Sequence, residues 1–125
     1  MKNPQELFFN LAYNLALVAY KLDEVPVGAV IIKDDTYELV SSGYNQMRSN
    51  KSSLDHAEML ALRSAMSRLN QERLIGCSMI TTLEPCPMCA QAISYARLSS
   101  VSFSAEDVKS GGILHGPRIF DSSSC

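Results

Sequence analysis

Three residues in two short segments of the sequence have the side chains needed to bind a metal ion. His56 opens the segment His56-Ala57-Glu58, and Cys86 and Cys89 flank two residues in the later segment Cys86-Pro87-Met88-Cys89. Imidazole and thiolate are ligands that zinc prefers. Structural zinc sites generally use four protein ligands, whereas catalytic sites generally use three and leave one position to water. These residues therefore predict an open, catalytic zinc site.

Glu58 is the residue that we expect to move protons at this site. Zinc lowers the pKa of a coordinated water, and the reaction then needs a base to carry the released proton. Glu58 follows His56 closely in sequence, so at a helix start the histidine could contact zinc and the glutamate the water. Glu58 could instead form a capping box with Asp55.

Alternating segments of helical and extended character must position these residues. Apolar spacing and helix-start signals predict helices over 5–22, 56–70 and 87–98. Apolar, β-branched runs predict strands over 25–33, 37–45, 77–83 and 100–105. Strands separated by helices usually run parallel, with helices on both faces of the sheet. We therefore predict a three-layer α/β/α domain in which two helix N-termini face one point.

Composition and charge narrow the class of protein. With 125 residues, of which 46% are apolar, the chain fits one domain with a real core. A net charge of −2 disfavours indiscriminate binding of nucleic acid but leaves room for a local basic patch. The N-terminal apolar run is bracketed by charges and lacks a cleavage site, which predicts no membrane span and a cytoplasmic location. Cysteines in that reducing compartment favour metal binding or catalysis.

Five stretches of the sequence match one known family in order. They are "EVPVGAVI" at 24–31, "GYN" at 43–45, "HAEMLALR" at 56–63, "TLEPCPMC" at 82–89 and "EDVKSGG" at 106–112. The third and fourth contain the H-x-E and P-C-x-x-C signature of zinc deaminases. The chain thus resembles the tRNA-specific adenosine deaminases, within the cytidine and deoxycytidylate deaminase superfamily, over roughly residues 5–118.

The resemblance implies a fold, a cofactor and a reaction. The fold would have a central, mostly parallel five-stranded sheet with an antiparallel N-terminal hairpin. One Zn²⁺ per chain would be bound by His56, Cys86 and Cys89, and Glu58 would be catalytic. The implied reaction is hydrolytic deamination of adenosine to inosine at the wobble position in the anticodon loop of tRNA, carried out by a homodimer.

The resemblance also implies contacts to the substrate. These are a hydrogen bond to the base from Asn45, pocket walls from Val27, Leu83, Glu84 and Pro85, the backbone amide of Ala57, and ribose or phosphate contacts from Asp107 and Lys109. Asn45 could instead end a strand in a turn, and Asp107 could be a helix cap or a solvated loop residue. Cys77 is expected in the core, and no role is predicted for Cys125 or His115.

Two other functions remain open at this point. An enzyme of the same fold could deaminate a free base or nucleotide such as guanine, cytosine or deoxycytidylate, since the pocket rather than the zinc selects the substrate. A nucleic-acid-binding module with structural zinc is the alternative from another class. Relatives of this type continue past "HGPRIF" into a further helix, so we expect residues 1–125 to form a single zinc-dependent deaminase domain with that helix absent or shortened.

Overall fold

The computed structural model describes residues 3–121, and Cys125 lies outside this range. The elements appear in the predicted order: α1 (Pro4–Lys21), β1 (Gly28–Lys33), β2 (Leu39–Tyr44), α2 (Ala57–Leu69), β3 (Cys77–Leu83), α3 (Pro87–Ala96), β4 (Ser100–Ala105) and a 3-10 helix (Ile119–Asp121). Among the described residues, no helix is both long and apolar enough to cross a membrane.

The strands form one mixed sheet in the order β2-β1-β3-β4. β1 pairs antiparallel with β2 on one side and with β3 on the other, and β3 pairs parallel with β4. The N-terminal hairpin is therefore confirmed. The expectation of a five-stranded, mostly parallel sheet is wrong for residues 3–121, where four strands make two antiparallel pairs and one parallel pair. The reason is that β3 does not lie beside β2 but crosses to the far edge of β1.

Helices cover both faces of this sheet. Residues of β1 alternate between the faces, as the period of an extended chain requires. Val30 and Ile32 pack with Ile80 against α1, whereas Ala29 and Ile31 belong to the larger core cluster that α2 and α3 also form. The three-layer arrangement follows from this alternation, with α1 on one face and the two helices of the predicted zinc segments on the other.

Two glycines allow the helices to approach the sheet closely. A Cβ atom at Gly28 would collide with the Ala12 carbonyl oxygen of α1, and one at Gly43 would lie 2.6 Å from the Ala57 carbonyl oxygen of α2. Gly43 therefore sets the distance at which the N-terminal turn of α2 packs against β2.

The start of α2 differs from the capping box considered from the sequence. His56 is the N-cap, and its side chain makes no capping hydrogen bond. Asp55 lies one residue outside the helix and accepts a hydrogen bond from Asn50 at 2.8 Å. The capping-box interpretation is wrong because Glu58 then occupies the second helical position, whereas the reciprocal bond requires the third. The carboxylate of Glu58 is free for another role.

Candidate active site

The three predicted metal ligands meet where two helices begin. His56 is the N-cap of α2, Cys86 is the N-cap of α3, and Cys89 lies in the first turn of α3. Pro87 occupies the first helical position of α3, where its fixed φ angle favours a helix start. The His56 Nδ1 atom lies 3.6 Å from the Sγ atom of Cys86 and 3.5 Å from that of Cys89.

These distances fit a zinc ion. All three donor atoms lie within 4.8 Å of one another. In a tetrahedral zinc site, bond lengths of about 2.0 Å to nitrogen and 2.3 Å to sulfur separate the nitrogen and sulfur donors by about 3.5 Å. The set supplies three donors, which is the number that catalytic zinc sites take from the protein.

The two thiols share a hydrogen bond that makes one of them acidic. The bond from Cys89 lowers the pKa of Cys86 to about 5, and the backbone N–H groups of Cys89 and Met88 act in the same direction. The same bond, together with burial, raises the pKa of Cys89. Cys86 is thus the more acidic thiol of the pair, and binding of a cation would displace the protons that remain on the two sulfur atoms.

Glu58 lies in the N-terminal turn of α2 with 4% of its surface exposed. Burial raises the pKa of Glu58 to about 7, although its own backbone N–H group favours the charged form, and the nearby Cys86 adds to the increase. A carboxyl group in this environment holds a proton far more readily than an exposed glutamate does.

A small cavity of about 150 Å³ opens beside these residues. Its walls include most of the residues predicted from the sequence: Val27, Asn45, His56, Glu58, Leu83, Glu84, Cys86 and Asp107. Ala57, Pro85, Cys89 and Lys109 are not among the cavity walls. The volume is below the 300–1,000 Å³ common for drug-sized ligands, so the cavity suits a single small group.

Three further wall residues were missed from the sequence. They are Val25, Met47 and Ser110. Val25 and Met47 each lie two positions from a predicted residue, Val27 and Asn45, but outside the strands: the Val27 N–H group bonds to the Val25 carbonyl oxygen at 2.9 Å, and Met47 begins a turn. Strand periodicity therefore could not have identified them, and nearness in sequence to a predicted residue was the one available signal.

Asn45 presents an unpaired donor in this cavity. The residue is 3% exposed, and its Nδ2 atom has no hydrogen-bond partner among residues 3–121. The backbone N–H of Asn45 bonds to the Val27 carbonyl oxygen at 3.2 Å, which fixes the residue just beyond β2. An unpaired buried amide is costly, so this donor is poised for an acceptor on a bound molecule.

Glu84 plays a larger part than the predicted pocket wall. It is 2% exposed, and it accepts hydrogen bonds from the loop that follows β4, including one of 2.8 Å from His115. Burial opposes its ionisation, but the bonds from His115 and from backbone N–H groups lower the pKa of Glu84 to about 2. Glu84 is thus an ionised, buried anchor for this loop.

Comparison with known proteins gives the class to which this fold and site belong. Residues 2–105 match the family model described as the cytidine and deoxycytidylate deaminase zinc-binding region. The match covers both helix starts and all four strands. The class is that of zinc-dependent deaminases, so the chain is a hydrolytic enzyme with zinc as its cofactor.

Individual relatives narrow this class. The tRNA-specific adenosine deaminase of Aquifex aeolicus is 42% identical over 94% of this chain and 76% of its own length. The Agrobacterium fabrum protein of the same name is 40% identical over 94% of this chain and 76% of its own length. The chain belongs to the tRNA-specific adenosine deaminase family.

Solved structures agree with this assignment. One from a study of A-to-I editing by tRNA:A34 deaminases at the wobble position has a TM-score of 0.92 and 39% identity, covering 96% of this chain and 86% of that chain. A guanine deaminase from Bacillus subtilis has a TM-score of 0.76 and 36% identity, covering 85% of this chain and 66% of its own. Both the predicted family and the predicted kind of enzyme are confirmed.

Proposed function

We propose that this chain converts adenosine to inosine at the wobble position of tRNA. The observation that carries the proposal is the buried, unpaired amide of Asn45 in a small cavity that also contains Glu58 and the candidate ligands His56 and Cys86. The choice of tRNA adenosine as the substrate is supported by the relatives at 40–42% identity, which are tRNA-specific adenosine deaminases.

His56, Cys86 and Cys89 hold the zinc ion in this proposal. When bound, zinc supplies the nucleophile by lowering the pKa of a water molecule. Glu58 faces the cavity, where it takes up a proton from the water and delivers protons to the ring nitrogen and to the departing amino group. Adenosine and water thereby give inosine and ammonia.

The other walls of the cavity orient the base. Asn45 donates its free N–H to an acceptor on the base, and Val27 and Leu83 contact the faces of the ring. Asp107 and Ser110 lie at the loop side of the cavity, next to the ribose. A cavity of about 150 Å³ has room for one base, so the adenosine must leave the anticodon stack to enter it.

Three residues that do not line the cavity have supporting roles in the proposal. The backbone amide of Ala57 approaches the base from the start of α2, and Pro85 supports the wall beside Cys86. Lys109 is exposed in the loop that contains Asp107, and its ammonium group contacts a phosphate of the RNA. Phosphate contacts of this kind position an RNA without reading its sequence.

The decisive experiment is inosine formation in an arginine tRNA that has the anticodon ACG. Zinc-loaded protein should convert the first anticodon adenosine to inosine, and a Glu58→Gln variant with the same zinc content should not. Inosine formation no higher than that of Glu58→Gln would contradict the proposal.

A substrate panel separates the alternatives. The likeness to a guanine deaminase at 36% identity favours guanine as the first small substrate to test, followed by cytosine and deoxycytidylate. Release of ammonia from one of these at a higher kcat/KM than from tRNA would favour the small-substrate function. Tight binding of tRNA with stoichiometric zinc, but no ammonia from any substrate, would favour the structural-zinc module.

The proposal includes three properties of the whole protein. Residues 1–125 act as one deaminase domain, the enzyme works as a homodimer, and it resides in the cytoplasm, where tRNA is available and the thiol ligands stay reduced. Light scattering during size-exclusion chromatography tests the homodimer, because a mass equal to one chain would contradict it.

A further inference from the structure

The loop that follows β4 wraps around the carboxylate of Glu84. The Oε2 atom accepts hydrogen bonds from the backbone N–H groups of Ile113, Leu114 and His115 at 3.1, 2.9 and 3.1 Å. The Oε1 atom accepts one from the Asp107 N–H group at 3.1 Å and one from the His115 side chain at 2.8 Å. His115 is the one side-chain donor among these described contacts.

The wrapping is tight enough to require a glycine. A Cβ atom at Gly111 would collide with the Glu84 carboxylate. The Gly112 N–H group also bonds to the Pro85 carbonyl oxygen at 2.8 Å, which ties the same loop to the segment just before the cysteines. The course of residues 106–115 is thus determined by contacts to Glu84 and Pro85.

This loop carries two walls of the cavity, Asp107 and Ser110. They are fixed to each other, because the Ser110 N–H group bonds to Asp107 Oδ1 at 2.9 Å. The backbone N–H of Asp107 and the imidazole of His115 both bond to Oε1 of Glu84. Anything that moves Oε1 therefore moves Asp107 and, through it, Ser110.

We propose that His115 is a positioning residue, which holds Glu84 and through it keeps Asp107 and Ser110 where the substrate binds. His115 is absent from the cavity walls, so it acts through Glu84 and not on the substrate. Its side chain is 25% exposed and closes the outer side of the buried carboxylate, while its Nε2 atom faces Glu106 at 3.6 Å. The inference rests on the proposed function for the identity of the substrate.

Two substitutions at His115 separate positioning from simple packing. His115→Leu replaces the imidazole with an apolar side chain of similar size that has no hydrogen-bond donor. His115→Asn is smaller but places an amide N–H group where Nδ1 lies. Glu106→Gln is the matched control, because it alters the group on the exposed side of the same imidazole without touching Glu84.

The kinetic readout is the division of the effect between KM and kcat for tRNA. His115→Leu should raise KM about tenfold, the size expected for one lost hydrogen bond to a charged group, with kcat within about twofold of the original because Glu58 and the zinc ligands stay in place. His115→Asn should recover most of the KM. Glu106→Gln should match the unmodified chain, and zinc content should be equal in all variants.

Hydrogen exchange supplies a readout that needs no substrate. In His115→Leu the amides of the segment 107–115 should exchange faster, whereas those of β1 and α2 should not change, and His115→Asn should restore protection. Unchanged exchange and unchanged KM in His115→Leu would overturn the inference, as would a loss confined to kcat. Absence of inosine with the unmodified chain would contradict the proposed function while leaving the exchange result to decide the role of His115.

Discussion

At the scale of one residue, Asn45 breaks the rule that buried polar groups are hydrogen-bonded. Its amide nitrogen is buried and finds no partner in the described part of the chain, and such a group costs about 1–3 kcal/mol of stability. A side chain of that kind is retained where a ligand completes its hydrogen bonds. Stability and binding should therefore respond in opposite directions when it is replaced.

Asn45→Leu should leave the free energy of unfolding unchanged or raise it, because the unpaired donor disappears. The same variant should lose about 10- to 100-fold in kcat/KM for tRNA, which corresponds to ~1–3 kcal/mol. Urea unfolding and inosine kinetics measure the two effects. Asn50→Leu is the contrast, because its amide is paired with Asp55 at 2.8 Å and its replacement should lower stability. A large loss of stability in Asn45→Leu would contradict this account.

Two buried cysteines offer a matched test of the zinc ligands. Cys89 is 0% exposed beside His56, whereas Cys77 is 2% exposed in the core cluster at the start of β3. Cys89→Ser should lose most of the bound zinc, and Cys77→Ala should retain one zinc per chain, as measured by metal analysis after gel filtration. Equal zinc content in the two variants would exclude Cys89 as a ligand.

At the scale of elements, the sequence contained enough to place both helix starts. Pro87 and the spacing of the cysteines marked the start of α3, and the helix does begin at Pro87, with Cys86 as its N-cap. The strand order was harder to predict, because strands β2 and β3 do run in the same direction, as the helix between them implies, yet β1 separates them. The order of elements in the sequence indicates that two strands joined by a helix run parallel. It does not indicate whether those two strands are neighbours in the sheet.

Substitutions at Gly43 and Gly28 can show how much the close packing of α2 and α1 against the sheet matters. Gly43→Ala should cost about 1–3 kcal/mol of stability through overpacking and should also weaken zinc binding, because the added methyl pushes on the Ala57 carbonyl oxygen next to His56. Gly28→Ala meets α1 on the opposite face and should cost similar stability with zinc affinity unchanged. Zinc competition titrations compare the two variants, and equal affinities would contradict the role given to Gly43.

Glu24 anchors the loop before α2 in the way that Glu84 anchors the loop after β4. It is 5% exposed and accepts bonds from the Arg48 N–H group at 3.0 Å and from the Ser49 N–H and hydroxyl groups at 2.7 Å each. Burial opposes ionisation, but these bonds lower the pKa of Glu24 below its ordinary value of 4.5. A lowered pKa stabilises the fold at neutral pH, and this stability is lost as protons bind.

Glu24→Gln should therefore be less stable than the unmodified chain at neutral pH, and the difference should shrink as pH falls below about 4.5. Ser49→Ala removes one of the donors and should show the same trend with a smaller amplitude. Thermal unfolding between about pH 3 and 7 measures both variants. A difference that stays constant over this range would contradict the lowered pKa.

At the scale of the whole molecule, the three candidate zinc ligands lie on two helices that belong to different parts of the chain. His56 starts α2, and the cysteines start α3, so a bound ion links the hairpin half to the half that contains β3 and β4. A ligand that binds only the folded state stabilises it by mass action, by about 2.7 kcal/mol at 100 times its Kd.

Removal of zinc with a strong chelator should lower the Tm by about 10 °C, given this linkage and the size of the domain. Differential scanning calorimetry before and after chelation measures the shift. Cys89→Ser is the control, because a chain that binds little zinc should show little further change. An unaltered Tm in the unmodified chain would mean that the ion does not link the two halves.

The anchoring of the active-site loop could not have been predicted from the sequence. The motif "TLEPCPMC" places Glu84 beside the ligands, which suggested a pocket wall. Its carboxylate is instead held by backbone N–H groups of residues 107 and 113–115, and main-chain donors leave no trace in residue types. Likewise, nothing in the sequence connects His115 with Glu84, because only the folded loop brings the two side chains together.

The position of β1 between two antiparallel partners has a consequence for biosynthesis. β1 can pair with β2 soon after both leave the ribosome. Its other partner is β3, so residues such as Ala29 stay unpaired on that side until Thr81 has been synthesised and has emerged. Until β3 emerges, β1 presents an open and strongly apolar edge, the kind of surface that recruits strands from other chains. A nascent chain that has emerged only as far as residue 76 would therefore be prone to aggregation, whereas one that has emerged past residue 89 would present all three candidate zinc ligands.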